Sequence, residues 1–90
     1  MTKEDTAALE RALIAQVRAE IAASPLSQGK VADAIGIERA TLSRYMSGKR
    51  ALPLQALLDI CDTLGIPAGD LMRMAEERAR RDAQRGGDAE

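Results

Sequence analysis

The chain contains no His, Phe or Trp, and it has a single Cys and a single Tyr. With no His and no second Cys, it can form no internal disulfide and lacks the ligands of an ordinary zinc site. Cys61 stands within an apolar helical pattern, which favours a small core residue over a nucleophile or a ligand. A phosphate-binding Gly loop and a close carboxylate pair are also missing. We therefore expect no enzyme, no metal and no cofactor.

Long hydrophobic segments are absent as well. No apolar run approaches the roughly 18 residues that a membrane span needs, and the N-terminus lacks the hydrophobic region of a signal peptide. We expect a cytoplasmic protein without a membrane partner, which would be nucleoid-associated through any DNA that it binds. Without Phe and Trp the core must consist of Leu, Ile, Val, Met and Ala, and this composition without strand-like alternation predicts an all-α fold.

The chain has no overall basic excess, because its net charge is −1. The charges are unevenly distributed: residues 28–52 carry five basic and two acidic side chains, whereas residues 53–90 carry five basic and eight acidic ones. A local basic surface is enough to bind phosphates, and the acidic remainder would limit non-specific binding to nucleic acid. The alternative interpretation is an ordinary solvated surface.

Apolar residues at helical spacing predict five helices around one core. The first ends near residue 23, because Ser24 precedes Pro25. The fourth begins at Pro53 as its first helical position, and its predicted apolar stripe is Leu54, Leu57, Leu58, Cys61 and Leu64. The fifth begins between residues 67 and 70 and is broken at Gly86-Gly87. We assign residues 1–80 to a single domain and residues 81–90 to a polar, partly disordered tail.

Residues 28–47 are the centre of this organisation, with two short helical patterns joined by a turn. The apolar residues on the inner faces of the two patterns are Val31, Ala32, Ile35, Leu42 and Tyr45. Gly36 accepts the left-handed conformation that the turn needs. Ala32 is small enough to let two steeply crossing helices approach. Ser27 is a good N-cap for the first pattern.

The second pattern, residues 38–46, has long basic and small polar side chains on its free face, which suits the DNA major groove. The predicted base-reading residues are Arg39, Ala40, Ser43 and Arg44. An arginine can bind guanine with two hydrogen bonds, so Arg39 and Arg44 are the main candidates. Ala40 could contact a thymine methyl group, and Ser43 a base or a phosphate. For Arg44 a surface salt bridge with Asp33 or Glu38 is the alternative.

The spacing of these residues resembles the phage-repressor family of helix-turn-helix proteins, which is also called lambda-repressor and Cro-like or the xenobiotic-response-element family. The matching positions are Gln28, Ala32, Gly36, Leu42 and Tyr45. Residues 47–50 resemble the family's polar-Gly-Lys loop, and the resemblance extends from about residue 13 to residue 71. Two residues depart from the pattern. At the position of Gly29 the family more often has an acidic residue or Ala, and at the position of Glu38 it usually has a Ser or Thr that caps the second helix.

The resemblance implies a compact five-helix DNA-binding domain and a transcriptional regulator, in particular a repressor. It implies that Gln28 binds a DNA phosphate. The predicted phosphate-contacting residues are Gln28, Thr41, Ser47, Lys49 and Arg50; for Lys49 and Arg50 simple solvation is the alternative. Family members usually bind palindromic sites as two-fold dimers. The corner after the fourth helix often supplies the dimer contact, which here would be Ile66, Pro67, Ala68 and Met72.

A second function from another class stays open at this point. The chain could be an antitoxin or another protein-interaction module that also binds its own operator and has a protein partner. A toxin-binding extension is expected to be apolar, whereas the tail ERARRDAQRGGDAE is polar. This composition favours the DNA-binding regulator, acting as a homodimer on double-stranded DNA.

Overall fold

The computed structural model of the protein describes residues 1–88, with side chains as far as residue 85. Within these residues the chain forms five α-helices and no strand. Their bounds are α1 (Lys3–Ala23), α2 (Gln28–Ile35), α3 (Arg39–Met46), α4 (Leu54–Leu64) and α5 (Ala68–Asp88). The predicted all-α, five-helix architecture is confirmed.

Local capping interactions set the ends of the first helices. The Thr2 hydroxyl accepts a hydrogen bond from the Asp5 N–H at 3.1 Å, and the Asp5 carboxylate accepts one from the Thr2 N–H at 2.9 Å. This capping box satisfies N–H groups that have no partner within α1. The Ser27 hydroxyl accepts from the Lys30 N–H at 3.2 Å, as expected of an N-cap. Gly36 ends α2 with a φ of 75°, the left-handed conformation predicted for the turn.

All five helices contribute buried side chains to one core. Its largest fully buried side chains are Val17, Val31, Leu42 and Ile60. Ala32 is also completely buried, so a small residue does stand where α2 packs against its neighbours. Burial of one large aliphatic side chain contributes about 1.5–3 kcal/mol. Tyr45 is the one aromatic residue in this core, which otherwise consists of aliphatic side chains, Met46 and Cys61.

Two predictions for α4 are wrong. Pro53 is the N-cap rather than the first helical residue, and Leu54 and Leu58 are exposed, by 70% and 41% of their surface. The other three residues of the predicted stripe, Leu57, Cys61 and Leu64, do face the core, together with Ile60, which the prediction omitted. Leu58 lies on the flank of this stripe, and Leu54 is the first residue of the helix, where no other element covers it. The cysteine is a buried core residue, as predicted.

The long helices α1 and α5 form an antiparallel pair, and the molecule is elongated, at 43 × 23 × 21 Å. Gln16 in α1 is 8% exposed and links the two helices: its amide oxygen accepts from Arg78 Nε at 3.0 Å, and its amide nitrogen donates to Glu20 at 2.8 Å. Because α5 continues to Asp88, the predicted break at Gly86-Gly87 is wrong. Residues 89–90 of the predicted, partly disordered tail (residues 81–90) lie outside the described residues, and the division after residue 80 stays a prediction.

Candidate nucleic-acid interface

Helix α3 has one buried and one exposed face. Leu42, Tyr45 and Met46 anchor it in the core, with 0%, 7% and 2% of their surface exposed. The opposite face carries the four predicted base-reading side chains, all of which are exposed: Arg39, Ala40, Ser43 and Arg44. Because residues three and four apart in a helix are neighbours, these side chains form one continuous surface. The anchoring side chains therefore determine which side chains α3 presents to a ligand.

The turn before α3 fixes how this helix leaves α2. The Ile37 N–H donates to the Ala32 carbonyl at 3.0 Å, which closes the end of α2 around Gly36. Glu38 is the N-cap of α3, but its side chain makes no capping hydrogen bond. Glu38, which departs from the family pattern, therefore does not provide the side-chain cap that a Ser or Thr would provide at this position.

The first turn of α2 lies against the start of α3. A Cβ atom at Gly29 would stand 3.6 Å from Arg39 Cδ, which is an ordinary van der Waals contact. The aliphatic part of the Arg39 side chain thus crosses the turn that begins with Gln28. Arg39, a predicted base-reading residue, therefore lies beside the residue that follows Gln28, a predicted phosphate-contacting residue. The structure also leaves room for a side chain at Gly29, so packing alone does not require glycine there.

The loop after α3 carries the other predicted phosphate-contacting side chains. Ser47, Lys49 and Arg50 are exposed, whereas Thr41 is half-buried within α3, as Gln28 is at the start of α2. The Ser47 hydroxyl donates to the Arg44 carbonyl, and so does the Arg50 N–H, both at 3.2 Å. The loop therefore folds back on the last turn of α3, which keeps its cationic side chains beside the exposed face of that helix.

Arg18 in α1 is a residue of this region that sequence reasoning missed. Its Nη1 donates a hydrogen bond of 2.7 Å to the Met46 carbonyl, the last residue of α3. A cation at the C-terminus of a helix also interacts favourably with the helix dipole. Arg18 is 28 residues from Met46 along the chain, and no local pattern could have indicated the contact.

Within residues 1–85, the cationic side chains of this surface form no salt bridge with a carboxylate. Among the described residues, Arg44 forms no salt bridge with Asp33 or Glu38, the alternative that the sequence left open. A salt bridge between Arg73 and Asp70 lies within α5, away from this surface. Cys61, whose thiol pKa is raised by burial, is inside the core and adds no reactive group to this surface.

The helix-turn-helix domain family matches residues 11–75. The chain belongs to this family. The matched region contains α2, α3 and α4 in full, together with the parts of α1 and α5 that pack against them. Helix-turn-helix proteins are DNA-binding regulators that place their second motif helix in the major groove. Membership of this family supports DNA as the partner class of the chain. A comparison with curated proteins gave no match.

Other features of the surface bear on assembly and on alternative functions. The corner between α4 and α5, predicted as a dimer contact, has Pro67 and Ala68 exposed and Ile66 and Met72 half-buried. No helix in the part of the chain that the structure describes is long and apolar enough to cross a membrane. Over the same residues, no group of His, Cys, Asp and Glu side chains could hold a metal ion.

Proposed function

We propose that this protein is a sequence-specific regulator of transcription that represses its target by reading double-stranded DNA with residues 38–46. The observation that carries the proposal is the exposed face of α3. Two arginines, a serine and an alanine lie there side by side, opposite three buried anchors. Arginine bound to guanine O6 and N7 contributes about 1–3 kcal/mol of discrimination against the wrong base.

The roles of the two arginines follow from their positions on α3. Arg39 is in the first turn, which enters the groove most deeply in helix-turn-helix complexes. Arg44 lies more than one turn later on the same exposed face. In this proposal the two side chains read separate base pairs of one half-site. Gln28, Thr41, Ser47, Lys49 and Arg50 hold the phosphates on either side and keep the register without reading sequence.

A single recognition helix covers only a few base pairs, so the proposal includes a two-fold dimer. Its half-sites would be about 10 bp apart, or a multiple of that distance. The proposed dimer contact is the α4–α5 corner with Ile66, Pro67, Ala68 and Met72. A dimer that occupies a promoter would block polymerase by steric exclusion, which needs no surface beyond the DNA interface and the dimer contact.

Selection of bound duplexes from a random pool, at about 150 mM salt, tests this proposal. Arg39→Ala and Arg44→Ala are selected beside the wild type, with Arg81→Ala as a control that removes an exposed arginine from α5. We expect a palindromic, guanine-containing motif whose preference relaxes at different positions in the first two variants and is unchanged in the control. An unchanged motif in both variants would remove the base-reading assignment. If the wild type enriches no motif at all, the alternative of an antitoxin or other protein-interaction module takes precedence.

A further inference from the structure

A groove runs between α1 and the loop that follows α3, beside the proposed DNA-binding surface. The α1 side is formed by Glu10, Arg11, Ile14 and Arg18, and the opposite side by the segment from Tyr45 to Gly48 together with Arg50, Ala51 and Leu52. We call it the α1 groove. None of the predictions from sequence included its α1 side, because Arg11 and Arg18 lie outside the helix-turn-helix motif.

The charge of the α1 groove is strongly unbalanced. Three arginines, Arg11, Arg18 and Arg50, line it together with one carboxylate, Glu10. Among the described residues, none of the three arginines forms a salt bridge. The Arg18 guanidinium is fixed in place by its hydrogen bond to the Met46 carbonyl, and its remaining N–H groups are available to an anion. The groove is thus a site where positive charge is concentrated and partly held in position.

The remaining walls suit an anion with several oxygen atoms. Tyr45 is nearly buried, and its hydroxyl makes no hydrogen bond among the described residues. Every buried side-chain oxygen or nitrogen in the same residues does have a hydrogen-bond partner, so the Tyr45 hydroxyl cannot be one of the buried atoms. The hydroxyl therefore keeps contact with solvent and can donate to a ligand. The backbone N–H groups of Ser47, Gly48 and Arg50 already donate to carbonyls of α3, so the side chains must supply the donors.

We propose that the α1 groove binds phosphate groups of the DNA backbone and so extends the interface from the helix-turn-helix motif to α1. Arg–phosphate pairs are often bidentate and charge-assisted, which makes arginine the preferred residue for such contacts. Ser47 and Arg50, which line the groove, also belong to the proposed phosphate-contacting set. The groove therefore adjoins the surface that α3 would present to DNA. This inference rests on the proposed function, since it concerns the same bound duplex.

The salt dependence of DNA binding by the full chain tests the inference. Arg11→Ala removes a charge from the groove; Arg11 is exposed and makes no hydrogen bond in the described residues, so the variant should fold. Arg81→Ala removes the same charge from the exposed surface of α5, outside the groove. We expect the negative slope of log Kobs against log salt concentration to become less steep by about 0.9 for Arg11→Ala, the value for one lost phosphate contact. The slope should be unchanged for Arg81→Ala and close to that of the wild type for Arg11→Lys.

The outcomes separate the inference from the proposed function. If the wild type binds its selected duplex and Arg11→Ala has the same slope and affinity, the groove does not contact DNA and the inference is overturned. If the wild type binds no duplex, the proposed function itself fails, and pyrophosphate then serves as a probe in thermal unfolding. Protection of the wild type but not of Arg11→Ala would assign the groove to a free phosphorylated ligand and overturn the DNA assignment. No protection would overturn phosphate binding altogether.

Discussion

Arg18 connects the first helix to the end of the proposed recognition helix through one hydrogen bond to the Met46 carbonyl. The carbonyl groups in the last turn of a helix have no partners within that helix, and a side chain from another element is one way to satisfy them. Because Met46 itself is buried, the bond fixes the end of α3 against α1. The orientation of α3 thus depends on a residue outside the motif.

We expect Arg18→Gln to lower the free energy of unfolding by about 0.5–1.5 kcal/mol, the usual net contribution of one hydrogen bond. Arg18 is exposed, so solvent screening should place the value in the lower half of this range. Urea denaturation followed by circular dichroism gives the measurement. Arg11→Gln is the matched control, since it removes the same charge from the same face of α1 without a hydrogen bond to α3. Equal losses in the two variants would show that charge, rather than the bond to Met46, is responsible.

At the scale of the element, the turn between α2 and α3 depends on the backbone of one residue. Gly36 has a φ of 75°, and no atom outside residues 35–37 lies within 4 Å of the position that a Cβ would occupy there. A side chain would therefore meet no steric obstacle from its neighbours, and the cost of any substitution comes from the left-handed backbone itself. Gly69 also has open space around it, but it has an ordinary helical backbone in the first turn of α5.

The two glycines should respond to the same substitution with opposite signs. Gly36→Ala is expected to reduce the free energy of unfolding by about 1–2 kcal/mol, the cost of a left-handed L-residue. Gly69→Ala should raise it by up to about 1 kcal/mol, because alanine has the higher helix propensity. Thermal or urea unfolding of both variants provides the comparison. A neutral Gly36→Ala variant would mean that the turn can adopt another conformation.

The elements that could be predicted from sequence are those with local causes. Ser27 and Gly36 were recognised because a cap or a left-handed turn depends on the residue at that position. Leu54 and Leu58 were misassigned because a leucine-rich helix contains more apolar residues than its buried face can hold. Which of them become buried depends on the packing of α4 against α2 and α5. The same limit applies to Gln16 and Arg78, whose hydrogen bond joins residues far apart in the chain.

At the scale of the whole molecule, two surfaces are candidates for the contact of the proposed dimer. The α4–α5 corner includes the exposed Ala68, and the start of α4 presents the exposed Leu54 and Leu58. The family resemblance suggests the corner as the dimer contact, whereas the exposure of the two leucines in the structure suggests the start of α4. Both are apolar in part, so a charged substitution in each can distinguish them.

We expect Ala68→Glu to raise the dimer dissociation constant at least about tenfold, because a two-fold contact brings the two new carboxylates together and like charges across an interface cost several kcal/mol. Leu54→Glu should leave the constant unchanged. Sedimentation equilibrium, in the presence and absence of the selected duplex, measures both. If Leu54→Glu dissociates the dimer and Ala68→Glu does not, the contact lies on α4 and the proposed corner is wrong.

Tyr45 gives the molecule an optical property that follows from its composition and its position. It is the sole aromatic side chain in a chain without Trp or Phe, and it lies in the last turn of α3 at the edge of the α1 groove. All intrinsic ultraviolet fluorescence of the protein therefore arises from one site. The emission of the unlabelled chain reports on the end of this helix alone, so local opening there can be followed separately from the loss of total helix content.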